Sequence, residues 1–280
     1  MARTKALSLI QSGGTKVELS ELSNLVIANI QKDTLSGALK SQSYTGNPAA
    51  GSVEYKRFVN SVSKAYGTAR GAGKGDAITV PPTVVNLDQH KEIVEEAARF
   101  DIDTFGIGNI MARRADNHVD TVAAELDLAF FTQAVTEGSN FSTSETEIEA
   151  KVEAMIQALE TVKNDYVRGV PRHMIRLVCD PLYFGKLRTY LDKGVNNANV
   201  DTAAEDFSTF HGVRVYSSIN LPETANMIAM IDGAIAQPAL IYPYAQPEKI
   251  PLSNDYGVSM FFDYGTKALT PDLIMYYKEA

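Results

Sequence analysis

A chain of 280 residues with 45% apolar content is long enough to bury a large core, as one domain or as two interlocked ones. Its formal net charge of −8 argues against tight general binding to nucleic acid, which needs phosphates neutralised by Lys and Arg, and its one cysteine, Cys179, excludes an intrachain disulfide. No run approaches the roughly 20 apolar residues of a membrane-spanning helix, and none of signal-peptide length follows Arg3 and Lys5, so synthesis in the cytoplasm without export is expected.

The first fifty residues are thinly apolar, with one short amphipathic helix between Val17 and Ile30 (Leu19, Leu22, Leu25, Val26, Ile30), and end in the turn-rich stretch Ser41 to Gly51. They read as an extended arm with a helical patch, of the kind ordered by contact with something else. Val53, Tyr55, Val59 and Val62 form a first β-type run and Ile78 to Leu87 a second. Between them lies Gly67 to Gly75, glycine-rich and nearly without apolar mass. This predicts a long protruding hairpin, placed at an edge because Pro81 and Pro82 interrupt its second strand.

Ile93 to Phe100 fits either a short helix or a strand and turn, with Asp101-Ile102-Asp103 as a capping region. From Ile107 to Glu137 apolar residues recur at helical spacing (Ala115, Val119, Val122, Leu126, Phe130, Ala134), with Gly138 as the stop, which predicts a spine helix of about eight turns. Ser144 with Glu147 has capping-box spacing ahead of a second helix to about Tyr166. Met174 to Cys179 reads as a buried strand and Leu182 to Leu191 as a helix opened by Pro181. Further strands are expected at Val213 to Ser217, Met227 to Ile231, Tyr256 to Phe262 and Leu273 to Tyr277 after the loop Gly194 to Ser208.

Charge is segregated along the chain. From Val53 to Gly75, Glu54 stands against Lys56, Arg57, Lys64, Arg70 and Lys74, whereas acids outnumber bases from Asp88 to Asp165. Such a pattern suits docking of Lys56, Arg57, Lys64, Arg70 and Lys74 on an acidic surface of an identical subunit. Catalytic patterns fail by comparison. Thr68 stands where a phosphate loop needs its first glycine and Gly75 where it needs Ser or Thr, so no nucleotide cofactor is expected. His90, His118, His173 and His211 have no second His or Cys at ligand spacing, so no metal is expected either. His118 with Asp120, and Glu125 with Asp127, fall on the spine helix, where carboxylates form a solvated face more often than a catalytic pair. Lys56, Lys64 and Lys74 could donate to an isopeptide bond with an asparagine, given a carboxylate in an apolar pocket to take the proton.

The order arm, basic hairpin, long helix, second helix, strand-helix unit and closing strands resembles the major capsid protein of tailed bacteriophages, the Hong Kong 97 type fold. Local phrases are similar too: Met174 to Leu187, Phe210 to Pro222, Asp232 to Ala236, Asp255 to Val258 and Asp263 to Pro271. The resemblance covers about Ser52 to Ala280. It implies an α+β fold with an N-terminal arm (1–51), an E-loop hairpin (52–90), a peripheral domain with the spine helix (91–220) and an axial domain with closing strands (221–280). It implies a non-enzymatic shell subunit that assembles as pentamers and hexamers, located in the virion and made in the bacterial host cytoplasm. A separate scaffolding protein, a portal protein and a decoration protein are the implied partners, with double-stranded DNA enclosed without specific binding. Two other readings remain: an encapsulin-like compartment, which shares the fold and differs in cargo, and a soluble α/β enzyme using the spine-helix carboxylates. A tail protein fits less well, because tail tubes are chiefly β.

Overall fold

The computed structural model describes residues 24–30, 34–99, 107–193, 200–201, 206–244 and 248–279. The arm before residue 24, the capping run Asp101 to Asp103 and most of the loop Gly194 to Ser208 lie outside these residues. In chain order, helix α1 (Leu35–Leu39) precedes strand β1 (Ser52–Lys56), helix α2 (Thr68–Ala72) and strands β2 (Pro82–Asn86) and β3 (Gln89–Ala97). Helix α3 (Ile107–Glu137), strand β4 (Ser139–Asn140), helix α4 (Ile148–Glu160), strand β5 (Ile175–Cys179) and helix α5 (Pro181–Lys193) follow. The remaining strands are β6 (Val200–Asp201), β7 (Asp206–Phe207), β8 (Thr209–Phe210), β9 (Val213–Ser217), β10 (Met227–Ile231), β11 (Ile235–Ala236), β12 (Ala239–Ile241), β13 (Glu248–Lys249), β14 (Tyr256–Tyr264), β15 (Lys267–Ala268) and β16 (Ile274–Tyr277).

Helix α3 occupies the span its spacing predicts. Its buried surface is wider than one stripe, because the helix lies between two cores. Ala115, Val119, Val122 and Leu126 pack with Val258, Met260, Phe262 and Tyr264 of β14, while Phe130, Phe131 and Ala134 pack with Val178, Ile228, Met230 and Ile274. Gly138 ends the helix for a steric reason. A Cβ there would stand 2.3 Å from the Ala134 carbonyl oxygen and 2.9 Å from Ile274 Cγ2, so only glycine lets β16 approach so closely.

The main sheet has six strands in the order β4-β16-β10-β5-β9-β8. Strands β5 and β9 are parallel and joined through α5, a strand-helix-strand crossover. Alternate residues of the central strands face opposite cores. Leu177, Cys179, Met227 and Ala229 meet α4 and α5, whereas Val178, Ile228 and Met230 meet α3 and α1. Covered on both faces, β5 and β10 read as continuous apolar runs, and each buried Leu or Ile contributes about 2 kcal/mol. The boundary expected between residues 220 and 221 passes through this sheet, because β10 hydrogen-bonds to β5 along its length.

One open reading is decided and two local expectations are corrected. The stretch after Ile93, open between helix and strand, belongs to β3, which pairs with β14 over nine residues from Gln89↔Tyr264 to Ala97↔Tyr256. The Ser144 and Glu147 capping box does not form: Glu147 itself is the N-cap residue of α4, and no side chain caps that helix. Helix α4 ends at Glu160, short of Tyr166. Gly169, at φ 111°, then turns the chain back so closely that a Cβ would sit 2.7 Å from the Glu160 carbonyl oxygen.

Candidate assembly surface

The hairpin is built from a short ladder carrying a long loop. Strands β1 and β2 pair from Ser52↔Asn86 to Lys56↔Pro82, and Val53, Tyr55 and Val85 pack on Ala236 as a small core of their own. Pro82 opens β2 on a two-stranded sheet, the edge position its missing N–H allows. Ile78 precedes the ladder and is exposed, so the second strand starts later than its β-type run.

A clamp holds the loop's base. The Arg57 guanidinium donates two hydrogen bonds to the Asp272 carboxylate, at 2.6 and 2.9 Å, and lies 4.2 Å from the centre of the Tyr166 ring. Asn164 Nδ2 donates to the same carboxylate at 2.5 Å. Burial opposes ionisation of Asp272, but the hydrogen bonds from Arg57 and Asn164 outweigh it and hold the carboxyl below its usual range. The Asn60 N–H donates to the Asp165 carbonyl at 2.9 Å, and Arg168 donates to the Ser61 carbonyl at 3.0 Å.

Beyond Ser61 the loop leaves the rest of the chain. Phe58, Val62, Tyr66 and Ile78 are 64%, 67%, 94% and 85% exposed, large apolar side chains that join no core among the described residues. Helix α2 sits at the tip between Gly67 (φ 92°) and Gly73 (φ 70°), both in the left-handed region that glycine adopts without cost. The structure does not gather the five basic residues into one patch. Lys56 pairs with Glu54 at 3.7 Å, Lys64 with Asp76 across the loop at 2.6 Å, and Arg57 with Asp272. Arg70 lies over the Tyr66 ring at 5.6 Å. Lys74 is exposed, with no ion pair among the described residues. Sequence reasoning picked out the charges of this loop and missed its apolar exposure, although Phe58, Tyr66 and Ile78 in so polar a stretch were the available signal.

An acidic and apolar strip lies on the outer face of β3 and β14. Glu92, Val94 and Glu96 point outward together, with Val94 57% and Phe261 of the neighbouring strand 41% exposed. The inward face of β3 carries Glu95 instead, which takes two hydrogen bonds from Arg114, the Nε one at 2.8 Å. Chiefly through Arg114, its carboxyl is held below the usual range.

Of the residues weighed for catalysis, Asp120 is exposed, and His118, Glu125 and Asp127 are engaged structurally. His118 is buried, with Nδ1 2.8 Å from the Tyr244 hydroxyl and Nε2 3.2 Å from Glu95. Asp127, also buried, accepts from the backbone N–H groups of Leu35 and Ser36 at 3.2 and 2.8 Å and so starts α1. Glu125 accepts from the Tyr264 hydroxyl at 3.0 Å and pairs with Lys91. The solvated face expected for these groups is therefore partly a buried one. Burial pushes the Cys179 thiol up, away from the thiolate range of a nucleophile. Beside Lys56 and Lys64 stand the half-exposed Glu54 and the exposed Asp76, neither of them in an apolar pocket.

No family model matches the sequence, and no curated protein does. Solved structures do match. The capsid structure of the cyanophage P-SCSP1u is similar at a TM-score of 0.64 and 12% identity, over 88% of this chain and 89% of that one. A structure from Mycobacterium phage Che8 gives 0.61 at 16% identity, over 86% and 93%. The virus-like particle from Pyrococcus furiosus gives 0.56 at 11% identity, over 92% and 98%. At such low identity the likeness shows the fold alone: the chain carries the α+β fold of Hong Kong 97 type capsid proteins.

Proposed function

We propose that this protein is the major capsid protein of a tailed bacteriophage, forming an icosahedral shell of pentamers and hexamers around double-stranded DNA. The observation that carries this reading is the combination of a capsid fold over nearly the whole chain with a clamped loop that exposes Phe58, Val62, Tyr66 and Ile78. Such a loop needs another surface, and in a closed assembly an identical subunit supplies it. Many weak contacts of this kind, repeated around a shell, hold a particle that no single one would.

In this reading Lys56, Arg57, Lys64, Arg70 and Lys74 edge the docking loop. Arg57 and Lys64 shape it through Asp272 and Asp76, while Arg70 and Lys74 are the cations most available to a neighbour. The Glu92, Val94, Glu96 and Phe261 strip is their acceptor, acid against base and apolar against apolar. A scaffolding protein, a portal and a decoration protein are further partners. The acidic net charge suits enclosed DNA that must leave again. In this reading the chain divides into arm (1–51), hairpin (52–90), peripheral (91–220) and axial (221–280) parts, the last two sharing the six-stranded sheet.

Electron microscopy with light scattering on the purified chain, alone and with a candidate scaffold, tests the proposal. Closed shells, or pentamers and hexamers, are expected. A monomer or small dimer under both conditions would overturn it and favour the enzyme reading. The likeness to the Pyrococcus furiosus particle keeps a compartment shell as the second reading, and nuclease-protected DNA rather than protein inside recovered particles decides between them.

A further inference from the structure

A cavity of about 390 Å³ opens where three parts of the molecule meet: α1 and the segment before it, Tyr55 at the hairpin base, and Leu126 of the spine helix. Its wall is mixed, with Ile27, Ile30 and Ile241 among polar residues such as Thr34, Gln42 and Gln237. Among the described lining residues Lys40 is the one charged group, and no Asp or Glu joins it. Asp127 is already committed to the backbone N–H groups that start α1. Burial lowers the Lys40 pKa, and among the described residues no neighbouring charge offsets the desolvation.

A second, independent feature points the same way. Ser36, also on the cavity wall, is 1% exposed, and its Oγ has no hydrogen-bond partner. Tyr44 and Tyr55 line the same wall. Tyr55 stays protonated, its pKa pushed up to about 12 by burial and then by Tyr44. Among the described residues, then, a lysine and a buried hydroxyl share a hollow of mixed polar and isoleucine lining in which no carboxylate meets them.

We propose that this cavity binds a carboxylate carried on a short apolar stem, with Lys40 as its counter-ion and Ser36 as a hydrogen-bond donor. The stem lies along the isoleucines and the carboxylate takes the charge-assisted bonds the chain leaves unmade. Two sources share this chemistry: a free acid, and a glutamate side chain of a second copy of the chain. The second source alone rests on the shell reading.

The test uses the full chain in unassembled form with hexanoate as the probe. Acetylation of Lys40 by an activated acetate ester is followed by mass spectrometry, with exposed Lys74 as the reference. Hexanoate should slow labelling of Lys40 several-fold and leave Lys74 unchanged, while hexylammonium should do neither. In ligand-observed NMR, Lys40→Met should weaken hexanoate binding by about tenfold. Ser36→Ala, which keeps the lysine, should weaken it less and serves if the first variant fails to fold. Equal labelling of Lys40 with and without hexanoate, or equal binding by both variants and the parent, overturns the proposal. In assembled particles, protection of Lys40 without added acid identifies a second copy as the source, and protection only with hexanoate identifies a free acid. Failure to form particles would count against the shell reading and leave the soluble result standing.

Discussion

The six-stranded sheet and the loop of residues 57–81 use the same apolar side-chain types to opposite ends. In the sheet, Leu177, Val178, Ile228 and Met230 are fully buried, between α4 and α5 on one face and α3 and α1 on the other. In the loop, Phe58, Val62, Tyr66 and Ile78 stand in solvent. One region spends its apolar surface within the chain, and the other keeps it for a partner. Subunit stability and subunit association should therefore separate by mutation.

The largest effect on stability is expected in the buried region. Phe130→Ala empties a site that is 0% exposed at the junction of α3 with the sheet, and should cost about 3–5 kcal/mol in urea unfolding of the unassembled subunit. A cost below about 1 kcal/mol would mean that α3 is not a shared wall of the cores.

Next comes the polar tie across the same region. Arg172 joins Glu153 and Glu160 of α4, at 2.6 and 2.9 Å, and Glu153 also meets His211. Arg172→Met leaves two half-buried carboxylates facing each other and should cost about 1–3 kcal/mol. Hydrogen bonding from Arg172 is the main cause that holds Glu153 at about 2 and Glu160 below the usual carboxylate range. Folded-state values below the unfolded ones give stabilisation that is full above the unfolded value and is lost as pH falls through the folded one. The parent should therefore lose thermal stability from about pH 4.5 down toward pH 2, and the variant should lose less over the same range. Parallel melting curves in that window would rule out this role.

Much of this division was legible in the sequence. The spine helix, β5 and α5 are strongly periodic or continuously apolar, because burial on one stripe or on both sheet faces dictates every residue. The stretch from Ile93 to Phe100 was ambiguous, since the ladder partner of β3, β14, lies more than 150 residues away and nothing local selects a strand. The capping box failed because Ser144 stands outside the helix that starts after Glu147. At the candidate surface, the cations of the hairpin were visible in sequence but their uses were not. Asp272 is 215 residues from Arg57, and no local pattern announces such a pair. Asp127 and His118 misled for the same reason. On a helix with two buried faces, a polar residue can point inward if a distant group, here the start of α1 or Tyr244, meets it.

The clamp tests where the two regions join. Arg57→Met removes the bidentate bond to Asp272 but leaves β1 and β2 paired, so global stability should fall by at most about 1 kcal/mol. Proteolytic nicking between residues 61 and 81 should rise several-fold, as the loop loses its fixed exit direction. An unchanged cleavage rate would show that the Asn60 and Arg168 backbone contacts suffice to hold the base.

The smallest effect on stability should accompany a large effect on assembly. Tyr66 is 94% exposed, and its contact on its own chain is the Arg70 guanidinium above its ring. Tyr66→Ser should therefore leave unfolding within about 0.5 kcal/mol of the parent, as surface substitutions usually do. If the ring is an anchor in a neighbour's surface, the same substitution removes an aromatic contact at every equivalent position of a shell, and the loss multiplies over the particle. Particle yield should then fall sharply at unchanged subunit stability. Pairing the change with Glu92→Lys separates two causes: if the loop seats on the β3 strip, the two defects should be less than additive, because both remove the same contact. Additive defects would place the loop on a different part of the neighbour while leaving it an assembly element.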